Sequence, residues 1–262
     1  MNKSDFKRML STLQRESGGI IKIQDVPGIL NTSKLVARKL LSRWQKQGWI
    51  ARIKRGVYLP LPLEADSSER WTEDPWIIAT ILFDPCYIGG WSACEYWQFT
   101  EQVFREVMVF TTQGIRDRNQ TILANAFKLK KIVPEKYFGT KTIWKGQMKL
   151  KVSDPTRTIV DLFDDPGTGG GFRQATTVLD AYMSSANKNL IQLLEYMQML
   201  GNKSLFNRIG YLFESKYSDE NEFIQSCQKN LAKGYSKLDA NGGSSGSYLR
   251  RWNLRINRNL KP

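Results

Sequence analysis

The feature that most constrains this chain is the stretch 32–58, where a basic amphipathic segment runs into two short strand-like segments joined by Lys54, Arg55 and Gly56. Val36, Leu40, Leu41 and Trp44 recur at three-to-four-residue spacing, which predicts a helix over 33–47 with one apolar stripe facing a core. Lys34, Arg38, Lys39, Arg43 and Lys46 take its other faces. Thr32 or Ser33 can cap the helix, because a hydroxyl there accepts an otherwise unsatisfied backbone N–H, and Gly48 supplies a stop. Segments 49–53 and 57–61 are rich in β-branched and aromatic residues, so the turn between them predicts a hairpin with two cations at its tip.

Upstream, Phe6, Met9, Leu10 and Leu13 mark an amphipathic first helix, 20–23 a short strand, and 25–30 a second helix before a turn at Asn31. Helix, strand, helix, turn, helix, hairpin is the order of a winged helix-turn-helix, expected here over 1–62. In that reading Thr32, Ser33, Lys34, Arg38, Lys39 and Arg43 face DNA from the third helix, and Arg52, Lys54 and Arg55 from the hairpin. The alternative is a three-helix module whose charges are merely solvated. Charge placement favours DNA: the first 60 residues hold 13 Lys or Arg against Asp5, Glu16 and Asp25, a net of +10 within a chain of +14.

At 262 residues with 41% hydrophobic composition the chain exceeds one average domain, and two are expected. No apolar run approaches the roughly 18 residues of a membrane span, and no leader is evident, so a cytoplasmic protein is expected. Histidine is absent, which removes Ser-His-Asp and Cys-His nucleophile activation and His-ligated metal sites. Cys86, Cys94 and Cys227 lack metal-ligand spacing and read as buried thiols. Neither a metal nor a cofactor is expected.

Residues 63–73, polar and acidic without apolar period, read as a linker, and 74–262 as a second domain. Between 61 and 115 nine acids face two arginines, a net of −7. Asp74 and Pro75 open a helix that is apolar nearly all round, so it should be buried. In Gly90-Trp91-Ser92-Ala93-Cys94 the serine lacks the second glycine of a nucleophile elbow and reads as a cap. Strands are expected at 107–112, 142–144 and 148–152, forming a small sheet. Ser153 or Asp154 can cap a helix that runs through 163 with Pro155 at its first position, and Asp161 reads as a polar position on its surface. The glycine run 167–171 follows a helix rather than a strand and lacks a Gly-Lys-Ser/Thr ending, against a phosphate loop. Helices at 172–184, 190–200, 204–216 and 220–233 form a bundle, and 251–256 returns as a strand. The fold class is therefore α+β: an N-terminal winged helix-turn-helix, then a mixed α/β domain with a small sheet and a helical bundle.

A second basic region spans 116–151, where ten cations face two acids, a net of +8. Lys128, Lys130, Lys131, Lys145 and Lys149 are its candidate functional residues, and 128, 130 and 131 are expected to be exposed. The region reads either as a solvated strand face or as a surface for nucleic acid or an acidic partner.

Several segments together resemble the AbiE-type antitoxins (AbiEi family), transcriptional regulators of bacterial type IV toxin-antitoxin, phage-defence pairs. They are Arg55-Gly56-Val57-Tyr58, Tyr87-Ile88-Gly89-Gly90-Trp91-Ser92-Ala93, Ser153-Asp154-Pro155-Thr156-Arg157-Thr158-Ile159-Val160-Asp161, Arg208-Ile209-Gly210-Tyr211 and Arg251-Trp252-Asn253-Leu254-Arg255-Ile256-Asn257. No one segment is specific alone; their order carries the likeness over nearly the whole chain. The resemblance implies a non-enzymatic autorepressor that binds operator DNA with inverted repeats. It also implies that the C-terminal domain counteracts a nucleotidyltransferase-like toxin, directly or through a shared target, with no membrane partner. A competing class is a magnesium-dependent nucleic-acid enzyme using Asp84, Asp154 and Asp161. Strand 148–152 offers it no acid, where nuclease sheets usually present one.

Overall fold

In the computed structural model, which describes residues 3–17, 19–61, 74–146, 148–240, 242–243 and 245–257, the first elements follow the order read from the sequence. Helix α1 (Lys3–Glu16), strand β1 (Ile21–Lys22) and helix α2 (Val26–Ile29) precede α3 (Lys34–Lys46), which leads into the hairpin β2 (Ile50–Lys54) and β3 (Val57–Pro60). The expected linker, 63–73, lies outside the described residues. The chain divides into two compact units, Met1–Leu82 with Thr121–Asn125, and Phe83–Gln120 with Ala126–Pro262.

The first unit closes a core from Phe6, Leu10 and Leu13 of α1, Val26 of α2, and Ala37, Leu41 and Trp44 of α3. Phe6 is stacked on Trp49 with ring centroids 3.5 Å apart and meets Trp44 edge-on at 5.3 Å, so two tryptophans and a phenylalanine lock α1 against the start of the hairpin. The three strands form an antiparallel sheet in the order β1-β3-β2. Val36, expected in the core stripe, is instead 50% exposed, and Ala37 takes its place. A three-to-four-residue pattern built on Leu41 and Trp44 accommodates either register, and the short side chain won the tight contact.

Helix α4 (Pro75–Phe83) begins as its cap-then-proline sequence requires: Asp74 Oδ1 accepts from the Trp76 N–H at 2.8 Å. Ile78, Ala79, Leu82 and Phe83 are buried.

The strands that follow α4 form a six-stranded sheet, larger than the three strands expected, in the order β6-β7-β5-β4-β9-β8. Its strands are β4 (Cys86–Ile88), β5 (Glu106–Thr111), β6 (Asn119–Ile122), β7 (Asn125–Lys131), β8 (Thr140–Lys145) and β9 (Met148–Ser153). β5 runs parallel to β7, β4 antiparallel to β5 and parallel to β9, while β8 and β9 form an antiparallel hairpin. Helix α5 (Gly90–Tyr96) follows β4 and α6 (Pro155–Asp164) follows β9, capped by Asp154, whose Oδ1 accepts from the Arg157 N–H at 2.7 Å.

Helices α7 (Phe172–Met183), α8 (Leu190–Leu200), α9 (Ser204–Lys216) and α10 (Asn221–Lys229) share one apolar core with α6. A small sheet of β10 (Ser236–Lys237), β11 (Ser247–Leu249) and β12 (Leu254–Ile256) completes it, and Trp252 is fully buried there. Gly210 on α9 is required by close approach: a Cβ at that position would stand 2.2 Å from the Trp252 ring. The Arg208 guanidinium bridges elements, donating through Nε to Lys237 O at 2.9 Å and through Nη1 to Phe163 O at 3.0 Å. The mixed α and β class is as read from the sequence.

Candidate nucleic-acid interface

Helix α3 is bounded by local chemistry. Asn31 takes φ +47 in the turn after α2, and Ser33 is the N-cap, its Oγ accepting from the Val36 N–H at 3.3 Å. Thr32 donates its backbone N–H to Pro27 O at 3.0 Å, which fixes the turn between the two helices. Gly48, at φ +70, lets the chain reverse into β2. This pair of helices and their turn are consistent with a helix-turn-helix.

With Ala37, Leu41 and Trp44 facing inward, Lys34, Arg38, Lys39, Arg43 and Lys46 are all exposed. Arg38, Lys39, Ser42, Arg43, Lys46 and Gln47 line an open basin of about 520 Å³ along the helix. Among the described residues none of the five cations forms an ion pair, although pairs occur elsewhere, as between Lys216 and Asp180. Five like charges left together on one helix cost folding energy, and an anionic partner recovers it.

At the hairpin tip, Arg55 and Gly56 make the turn, with Gly56 at φ +79 where only glycine is unstrained. The Ile23 N–H donates to Gly56 O at 2.8 Å, tying the tip to the end of β1. Arg52, Lys54 and Arg55 are exposed, and a register shift between Arg52 and Lys54 lets Arg52 Nε reach Lys54 O at 3.4 Å. The first unit thus presents every cation singled out on α3 and the hairpin to solvent, while Thr32 is half-buried and the Ser33 oxygen is used as a cap.

The second basic region divides. Lys131 and Lys149 are exposed, the latter with its ammonium 4.8 Å from the Trp144 ring centre, and Lys145 is half-buried. Lys128 and Lys130, expected to be exposed, are held. Lys128 Nζ donates to Gly167 O at 3.3 Å and stands 5.0 Å over the Trp91 ring. Lys130 Nζ pairs with Asp164 at 3.0 Å and Asp165 at 3.4 Å, its side chain only 23% exposed. Burial pushes the Asp164 carboxyl up, but Lys130 and the Asn202 amide outweigh it and hold the pKa below the usual value. These two lysines fasten β7 to the loop after α6.

Two of the three carboxylates of the competing enzyme reading, Asp154 and Asp161, have structural partners, while Asp84 is exposed. Asp154 caps α6 and its Oδ2 accepts from Tyr196 Oη at 2.8 Å. Asp161, expected on a helix surface, is 1% exposed: its Oδ1 accepts from Arg157 Nε at 2.9 Å and its Oδ2 from Tyr87 Oη at 3.1 Å. Arg157 Nη2 donates to Tyr87 Oη at 3.0 Å, and the guanidinium lies 4.1 Å from the Phe138 ring centre. Burial pushes the Asp161 carboxyl up against the opposing pull of Arg157. For Arg157 burial favours the neutral form, but Asp161 and Tyr87 outweigh it and raise the pKa. Ser92, expected as a cap, sits inside α5, and its Oγ accepts from the Met108 N–H at 2.9 Å. The three cysteines are buried, and burial with nearby Asp84 pushes the Cys86 thiol up to about 12. Among the described residues no group of three or more His, Cys, Asp or Glu is placed to hold a metal ion, and no helix is long and apolar enough to cross a membrane.

Residues 8–60, the segment holding α3 and the hairpin, match the family described as "Transcriptional regulator, AbiEi antitoxin". The match supports an AbiEi-type antitoxin regulator, and it leaves residues 74–262 outside it. The fold is similar to the crystal structure of the RV2827C protein from Mycobacterium tuberculosis, with a TM-score of 0.64 at 14% identity, covering 95% of this chain and 89% of that one. At that identity the likeness concerns fold alone. No curated protein matches the chain.

Proposed function

We propose that this AbiEi-type chain is a sequence-specific DNA-binding regulator that represses its own operon, and that its second unit acts as the antitoxin against a nucleotidyltransferase-like toxin. The observation that carries the DNA half is the outer face of α3: five exposed cations without an ion pair among the described residues, on the segment that matches an antitoxin-regulator family. In this reading the first unit is a winged helix-turn-helix. Helix α3 enters the major groove with Lys34, Arg38, Lys39 and Arg43 beside Thr32 and Ser33, and the hairpin sets Arg52, Lys54 and Arg55 against the phosphate backbone. Two copies on inverted half-sites would match the two-fold symmetry of such operators. The role belongs in the cytoplasm.

The toxin half rests on the resemblance of 153–161, 208–211 and 251–257 to the AbiE-type antitoxins. Lys131, Lys145 and Lys149 are the part of the second basic region offered for it, with Lys128 and Lys130 serving the fold. No catalytic step is assigned. The magnesium-enzyme alternative loses support because Asp154 and Asp161 are engaged with a helix end, two tyrosines and an arginine.

The test is a reporter driven by the chain's own promoter, with the full chain supplied in trans. Repression by the parent and its relief by Lys34→Ala with Arg38→Ala are expected. Expression unchanged by the parent would refute the DNA half. In parallel, co-expression with the product of the adjacent gene should arrest growth only when the full chain is missing. Arrest in its presence would refute the toxin half.

A further inference from the structure

Two apolar side chains stand on the cationic face of α3. Leu35 is 63% exposed and Val36 50% exposed, in the first turn of the helix, between Lys34 and Arg38. Lone exposed aliphatics are ordinary, but these are adjacent, and their direction is informative. Successive helical residues turn by about 100°. Leu35 therefore points away from the Ala37, Leu41 and Trp44 stripe, in line with Lys39, Ser42 and Lys46 at four, seven and eleven residues further on. Val36 lies in line with Arg43. Neither position serves the core of the first unit, whose α3 contribution is Ala37, Leu41 and Trp44 with Leu40 partly buried against it.

We infer that Leu35 and Val36 read thymine methyl groups in the major groove, so that the preferred duplex carries one or two thymines opposite the first turn of α3. This rests on the DNA-binding reading and deepens it. The thymine C5-methyl is the apolar group that base edges present in that groove, and a branched aliphatic side chain is its natural complement. The surrounding cations identify the occupant by charge: a face with five lysines and arginines suits a polyanion that also offers apolar spots. A helix of this kind works through its N-terminal turn, where both residues stand. The hairpin cations would then set affinity, Lys34 and Arg38 would read base edges beside the pair, and Leu35 and Val36 would add a preference for thymine.

The experiment enriches a random-sequence duplex pool with the full chain, then measures binding to the selected duplex with single thymines replaced by deoxyuridine, which removes only the methyl. Parent protein should lose about threefold to tenfold at one or two thymines, the cost of one desolvated methyl contact. Leu35→Ala with Val36→Ala should bind the selected duplex more weakly and be indifferent to the same replacements. Lys39→Ala should weaken binding yet keep the deoxyuridine effect. Both positions are exposed, so the variants should melt with the parent. If parent and the aliphatic variant respond equally to deoxyuridine, or neither responds, the inference is overturned while DNA binding stands. A variant that changes sedimentation but not sequence preference would make the pair an interface between copies and also overturn it. A pool that the parent fails to enrich overturns the DNA-binding reading and this inference with it.

Discussion

Replacing Tyr87 by phenylalanine removes one oxygen from the middle of the second unit. That oxygen donates to Asp161 Oδ2 at 3.1 Å and accepts from Arg157 Nη2 at 3.0 Å, in a site where Tyr87 is fully buried and Arg157 and Asp161 are each 1% exposed. Each bond involves an ionised partner, for which the net contribution is about 1.5–3 kcal/mol. The Arg157 to Asp161 contact at 2.9 Å survives, so the loss is less than the sum, and about 2–4 kcal/mol is expected. For a unit of this size that lowers the melting temperature by about 5–15 °C. Arg157→Leu should cost more, about 3–5 kcal/mol, because it leaves Asp161 buried without a counter-charge, and adding Asp161→Leu should recover part of it. Thermal unfolding followed by tryptophan fluorescence reads all four proteins. A Tyr87→Phe variant that melts with the parent, or an Arg157→Leu loss that adding Asp161→Leu does not reduce, would refute the reasoning. Rescue of toxin-arrested cells lost by a Tyr87→Phe protein of undiminished stability would make the cluster a working site rather than a structural one.

Other outcomes follow from the same geometry. Lys130→Met should destabilise the second unit by about 1 kcal/mol at neutral pH, since its partner side chains are partly screened. The Asp164 pKa is depressed in the fold, so its contribution is present above the ordinary carboxylate value, about 4, and is lost as pH falls through the folded value. The gap between Lys130→Met and parent melting temperatures should therefore close on acidification; a gap that widens contradicts the pairing. Gly210→Ala should cost at least about 1–3 kcal/mol, because the new methyl meets the Trp252 ring at 2.2 Å, and an unchanged melt would contradict that packing. Lys54→Ala with Arg55→Ala should weaken all duplexes alike and flatten the logarithmic salt dependence by about two units, whereas Lys34→Ala with Arg38→Ala should weaken the preferred duplex most.

The parts of this fold legible in the sequence are those whose signal is local. Ser33 and Asp154 as helix caps, Gly48 and Gly56 as reversals, and the amphipathic period of α1 and α3 each follow from a few neighbouring residues. Val36 reads as a core position in the sequence because alanine at 37 is nearly silent in a hydrophobic pattern although it packs the core. β7 is not legible in the sequence because Lys128 and Lys130 disguise a strand, their charges absorbed by a distant loop and by rings on α5 and β5. Asp161 looked like a surface residue for the same reason. Its partner Arg157 is one turn away, but the burial and Tyr87 come from a strand 74 residues earlier, and no window along the chain contains both. The segments that carry the family resemblance prove largely to be such long-range fasteners: Tyr87, Arg157 and Asp161 in one cluster, Arg208 on the Phe163 and Lys237 carbonyls, and Gly210 against Trp252.

The most direct measurement is fluorescence anisotropy of the full chain on the duplex upstream of its own gene, against a scrambled duplex of equal length and composition. Tighter binding to the promoter by about a thousandfold or more is predicted, falling steeply as salt rises and collapsing toward the scrambled value with Lys34→Ala and Arg38→Ala. Equal affinity for the two duplexes, or binding indifferent to salt, would contradict it.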